Sequence, residues 1–211
     1  MNLLKNAIQV GNMSKARLEA FSDGVIAVII TVLVLEIHLP NNHVNPNDLT
    51  PVLLSLIPKG ISYLISFITI TVWWVSHHQL LHIIEKTDRG LLWLNSLFLL
   101  FLSFIPFPTS LIGEYPQEFS SILIYAATGV FTSISFTIMK WYCLFKSKLV
   151  YQTIPEEILL KSFKKGFISP LLYFSSIIIG YFYPIISFII FAFIPCYYFI
   201  PGLLEKHIIK K

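Results

Sequence analysis

The sequence predicts an all-α integral membrane protein, a bundle of about six apolar helices. Three observations predict it. Hydrophobic residues make up 55% of the 211-residue chain and charged residues only 12%, about half the charge of a water-soluble domain. Mean hydropathy is +0.74, too apolar to cover a water-facing surface. The apolar residues gather in long runs, without the alternation over roughly ten residues that marks a membrane β-strand.

The first run, Phe21 to Leu39, stops at Pro40 and the turn-forming stretch Asn41 to Asn47. The second, Gly60 to His77, follows a short apolar segment, Leu49 to Ile57, that reads either as an outer helix or as an extension of the span. The third is Leu91 to Ile112, with Pro106 and Pro108 near its end, and the fourth is Phe119 to Phe145. The fifth, Phe167 to Phe182, is short unless it begins near Leu159; Pro184 separates it from the sixth, Ile185 to Leu204. Most reach the roughly 20 residues a helix needs to cross a bilayer.

Lysine and arginine set the orientation. Lys5, Lys15 and Arg17 precede the first span, and Lys86 and Arg89 lie between the second and third. Lys140, Lys146, Lys148, Lys161, Lys164 and Lys165 flank the fourth-to-fifth connection; Lys206, Lys210 and Lys211 follow the sixth. The other loops carry no basic residue except Lys59, which can snorkel outward. This segregation predicts a multi-pass cell-membrane protein with both termini and the basic loops in the cytoplasm. The expected organisation is a cytoplasmic segment over residues 1–16, a six-helix membrane repeat over 17–205 and a basic tail over 206–211. No cleavable signal peptide is expected from Met1 to Gly11.

Several function classes recede. The formal charge of +4 does not indicate nucleic acid, because no basic patch with interleaved aromatics occurs. Cys143 and Cys196 lie in apolar stretches without a partner at metal or redox spacing. His78, His82 and Glu85 have helical metal-ligand spacing, but no further cluster completes a metalloenzyme site, and an interfacial histidine face explains them better. Ser22, Asp23 and His77 lack the strained nucleophile turn of a hydrolase. The chain is expected to be no enzyme and to need no metal or cofactor. A secondary transporter is the main alternative, although paired Gly- or Pro-broken helices in inverted halves are absent.

Asp23 is the unusual residue, an ionisable group inside the first span. At about 100° per residue it faces away from Arg17, so it needs a partner on another helix. Trp74, His77 and His78 share a face at the same depth, and an indole or imidazole N–H there can donate to the carboxylate. Asp23 reads either as a structural anchor or as part of a gate. Around Val28, residues Gly24, Thr31, Val32, Leu35 and Leu39 fall within about 60°, whereas Asp23 lies about 140° away. Taken alone, that stripe reads as a lipid- or bundle-facing surface.

Arg17-x-x-x-Phe21-Ser22-Asp23-Gly24, followed by Thr31-Val32-Leu33-Val34-Leu35-Glu36-Ile37, closely resembles the signature of the transmembrane protein 175 family. Trp74-x-x-His77-His78, the run ending at Asn95, and Pro106-Phe107-Pro108-Thr109 before Gly113-Glu114-Tyr115 resemble its next features. The match covers Arg17 to about Tyr115. The resemblance implies a potassium-permeable cation channel, with K+ as the permeant ion and other monovalent cations as competitors. A single repeat implies a prokaryotic-type homotetramer surrounded by membrane lipid, with the pore lined by the first helix. By position, Val28 matches the narrow hydrophobic ring, Val32 and Leu35 the rings further out, and Thr31 a polar layer. Arg17, Ser22, Asp23, Trp74 and His77 match the hydrogen-bond network that holds the pore helix. The chain departs at Val28, where the family more often has isoleucine or leucine, and this implies a wider ring.

Overall fold

The computed structural model describes residues 14–39 and 49–199, and these form a helical bundle. Helix α1, Lys15–Leu33, starts beneath Ser14, whose side chain accepts from the backbone N–H of Arg17. It tightens into one 3-10 turn, Val34–Glu36. Helix α2, Leu49–Ser55, is a short helix of its own and leads through Leu56 into α3, Ile57–His82. Pro58 sits in the first turn of α3, where its missing N–H leaves no bond unmade.

The predicted third span is two helices, α4 (Arg89–Ser103) and α5 (Pro106–Glu114). Pro106 and Pro108 have no N–H for the i→i−4 ladder, so the helix breaks before them. Helix α6, Phe119–Trp141, ends in a π turn, Tyr142–Lys146. Lys148 then takes a left-handed φ of 47° and turns the chain back. There the backbone N–H of Glu85 donates to Leu149 O at 2.8 Å and that of Tyr151 to Ile83 O at 3.1 Å. These bonds tie the connection after α6 to the one after α3. The predicted fifth span does begin early: α7 (Glu156–Lys165) bends at Gly166 and Phe167 into α8 (Ile168–Phe182). Helix α9, Pro184–Tyr198, follows.

Five stretches are long and apolar enough to cross a membrane: Lys15–Glu36, Leu49–His82, Arg89–Glu114, Phe119–Lys146 and Glu156–Phe182. Pro184–Tyr198 is apolar but shorter. At 1.5 Å per residue it measures about 22 Å, against a hydrocarbon core of about 30 Å. The expected end of this span at Leu204, the tail over 206–211 and the segment over 1–13 lie outside the described residues.

Helix α1 packs on α3 and α4; α6 runs between α4 and α8; α9 pairs with α8 and reaches back to α3. One apolar core joins α1, α3, α4, α6 and the returning loop at Leu149 and Val150. A second joins α5, α6, α8 and α9 around Tyr125, Tyr173 and Phe191. The α6–α8 seam is made of small and hydroxyl residues, as close helix approach in lipid requires. A Cβ at Gly129 would lie 2.6 Å from the Tyr173 ring, and the Ser133 and Ser169 hydroxyls meet at 2.9 Å.

Candidate functional site on the first helix

The side chains of α1 divide into two faces. Leu18, Ser22, Ile26, Ile29 and Leu33 recur every three or four residues and are buried against α3 and α4. On the other side Gly24, Val28, Thr31 and Leu35 are uncovered, with Val28 60% and Leu35 71% exposed. Val32 is half-buried at the edge of this stripe, and nothing lies within 4 Å of where a Cβ would stand on Gly24. The fold of the single chain thus leaves Gly24, Val28, Thr31 and Leu35 largely uncovered. Within the stripe the Thr31 hydroxyl donates to Val28 O at 2.8 Å. Its proton is therefore committed, and its oxygen lone pairs remain for a cation or water.

Two polar links hold α1 to its neighbours. Trp74 Nε1 donates to Asp23 Oδ1 at 2.9 Å, at the exposed margin between α1 and α3. One layer deeper, His77 Nε2 donates to Asn95 Oδ1 at 2.7 Å, and Asn95 Nδ2 donates to Ser22 Oγ at 3.0 Å. Ser22 Oγ then donates to Leu18 O at 2.9 Å. The shorter bonds run from α3 through α4 to the backbone of α1, and Ser22 Oγ also lies 3.4 Å from Asn95 Oδ1 as a second acceptor. Ser22, Asn95 and His77 are all buried, and the His77 ring stacks on Phe98 at 5.6 Å. A satisfied buried relay of this kind fixes the register between three helices, because any slip leaves unpaired groups in an apolar setting.

The structure therefore brings Asp23 to Trp74 and Ser22 to His77 by way of Asn95. The imidazole of His77 serves Asn95 rather than the Asp23 carboxylate. Arg17 donates its backbone N–H to Ser14, and its exposed side chain makes no hydrogen bond or ion pair among the described residues. Ser22 and His77 are not paired as nucleophile and base, since each is engaged elsewhere. The His78 and His82 rings stack at 6.5 Å, and no group of three potential metal ligands converges among the described residues. Lys59 reaches Glu114 at 3.9 Å. Asn95 is the hub that reasoning on site residues left out. Its signal was a lone amide in the middle of the apolar run Leu91 to Leu102.

Comparison with known proteins matches residues 17–106 to the model of a family described as endosomal/lysosomal potassium channel TMEM175. A Chryseobacterium potassium channel is 32% identical over 94% of this chain and 98% of its own length. A potassium channel of Chamaesiphon minutus is 43% identical over 56% of this chain, and the match spans 60% of that relative. The crystal structure of a lysosomal potassium-selective channel TMEM175 homologue from Chamaesiphon minutus superposes with a TM-score of 0.77 at 31% identity. That alignment covers 87% of this chain and 95% of the other.

Proposed function

The chain belongs to the TMEM175 family, and we propose that it is a potassium-permeable cation channel whose first helices line the pore of a homotetramer in the cell membrane. The uncovered stripe on α1 carries this reading. An apolar face with one hydroxyl, left bare by its own protomer, is what a helix facing a shared axis presents. With six spans and both termini inside, Arg17 lies at the cytoplasmic end of α1 and Glu36 at its outer end, as a solvated interfacial carboxylate.

Selection follows from hydration. A ring of Val28 side chains offers no oxygen to replace the water an ion sheds, so passage requires partial dehydration. Potassium holds its water less tightly than sodium, so the barrier favours potassium. Thr31, about one turn outward, supplies oxygen lone pairs that stabilise the ion on the outer side of the ring. Val32 and Leu35 continue the apolar wall. The links from Asp23 to Trp74 and from Ser22 through Asn95 to His77 fix the position of α1. Pore width therefore depends on these contacts, and widening the ring wets it.

Recording from the purified protein in planar bilayers tests the reading. Unitary currents should appear, with a bi-ionic reversal potential that favours potassium over sodium. Saturable uptake without unitary current would instead establish a transporter.

A further inference from the structure

The end of α6 holds two other helices at once. Its π turn closes with the Ser147 N–H donating to Tyr142 O at 2.9 Å, a turn type that recurs at functional positions in helices. Beyond the left-handed turn at Lys148, the backbone bonds from Glu85 to Leu149 and from Tyr151 to Ile83 fix the chain just after α3. Within the π turn, the Tyr142 hydroxyl donates to Asp88 Oδ2 at 2.8 Å. The other carboxylate oxygen of Asp88 accepts the Leu91 N–H at 2.8 Å and caps α4. One carboxylate thus joins the start of α4 to the end of α6.

The Tyr142 ring is closely held. A Cβ on Gly90, the second residue of α4, would run into its hydroxyl and Cζ, so glycine is what permits the approach. The Lys146 ammonium lies over the ring at 5.9 Å.

This frame matters because of what α3 and α4 carry. His77 lies on α3 six residues before Ile83, and Asn95 lies on α4 seven residues after Asp88. Seven residues are about two turns, so Asn95 stands about 10 Å along the axis from Asp88 and within about 20° of it round the helix. A shift of α4 along its axis therefore moves the Asn95 amide against both His77 Nε2 and Ser22 Oγ. Bonds of 2.7 and 3.0 Å tolerate little of it.

We infer that Tyr142 and Asp88 are positioning residues for the first helix: they hold α4 at the height at which Asn95 meets Ser22, so the end of α6 sets where α1 stands. The consequence for conduction rests on α1 lining the pore, whereas the coupling itself does not.

A double-mutant cycle read by thermal melting in detergent tests the coupling without any current. Tyr142→Phe removes one hydroxyl and leaves the Asp88 cap in place, and Ser22→Ala removes the acceptor at the far end of the relay. The two sites share no hydrogen bond, and changes at independent sites add. With coupling, Tyr142→Phe should lower the melting midpoint about half as much in the Ser22→Ala background as in the parent. Equal shifts in the two backgrounds overturn the inference. Open probability in planar bilayers tests the consequence. Tyr142→Phe and Gly90→Ala should move it in the same direction as Ser22→Ala, by about threefold to tenfold for loss of one charge-assisted bond, with potassium preference unchanged. Tyr198→Phe removes a comparable hydroxyl bond on α9, to Lys165 O at 3.0 Å, and should lower the melting midpoint without moving open probability. If Tyr198→Phe moves open probability as far as Tyr142→Phe, Tyr142 only supports the fold and the inference fails. Non-additive melting in a protein that carries no current upholds the coupling and counts against the pore reading alone.

Discussion

Val28 is uncovered while its neighbour Ile29, about 100° round the helix, is 4% exposed in the core. Asparagine at position 28 has similar bulk and, in a tetramer, supplies four amides that replace lost water. Val28→Asn should lower the sodium barrier more than the potassium barrier, and about 1.4 kcal/mol of that difference is a tenfold loss of preference. Val34→Asn is the matched control, since Val34 is 50% exposed but about 120° away from the stripe. Bi-ionic reversal potentials decide it, and an unchanged preference in Val28→Asn moves the filter to Thr31. Asp23 predicts a different phenotype. Asp23→Ala leaves the Trp74 indole N–H unpaired, at a cost of about 1–3 kcal/mol and near the lower end because the site is partly exposed. Assembly or open probability should fall, with ion preference in the remaining current little changed. Normal opening with lost preference would put Asp23 in the permeation path. The faces that both residues take on α1 were legible in the sequence, because angular position on one helix needs only the 3.6-residue period. A ring role for Val28 rested on the family resemblance. The Asn95 relay was not legible, since its bonds to Ser22 and His77 span 73 and 18 residues. No helical period tells which neighbour a buried amide meets.

Apolar runs announced most elements, and their breaks were the harder part. Pro106 and Pro108 were visible near the end of the third run, yet hydropathy stays high across them and hides the junction between α4 and α5. The early start of α7 was legible only as a start near Leu159, three residues late, for the opposite reason. Glu156, Glu157, Lys161, Lys164 and Lys165 lower the hydropathy of a helix that is amphipathic rather than apolar. Apart from the Asp23–Trp74 pair, contacts between elements were not legible in the sequence, and the α6–α8 seam shows what depends on them. Tyr173 is 1% exposed and lies flat against Gly129, so Gly129→Ala drives a methyl group into its ring. Overpacking of this kind costs about 1–3 kcal/mol. Thermal unfolding in detergent should show Gly129→Ala melting below the parent, with partial recovery when Tyr173→Leu is added. A variant that melts like the parent would mean that α6 and α8 do not approach this closely.

The proposed count of four chains agrees with how helices of the size of α1 pack around a common axis. Neighbouring helix axes sit about 10 Å apart, and a helix with its side chains has a radius of about 5–6 Å. Three such helices place their axes about 6 Å from a common centre and close it completely. Five place them about 8.5 Å away and leave a gap about 3 Å in radius, in which an ion keeps more of its water. Four place them about 7 Å away, so small side chains such as Val28 define a constriction that an ion crosses only by losing water. Native mass measurement in mild detergent should therefore find a species four times the 24.2 kDa chain. Leu35→Cys supplies an independent reading, because its 71% exposure in the protomer must be covered by a neighbouring copy if the stripe faces a shared axis. Cys196 is exposed and is replaced by serine to silence it, whereas Cys143 is buried and can remain. Mild oxidation should then link Leu35→Cys chains in pairs, and Leu53→Cys, exposed on α2, should stay unlinked. Monomers alone in the mass measurement, with no cross-link at position 35, would mean that the stripe faces lipid and that α1 lines no pore.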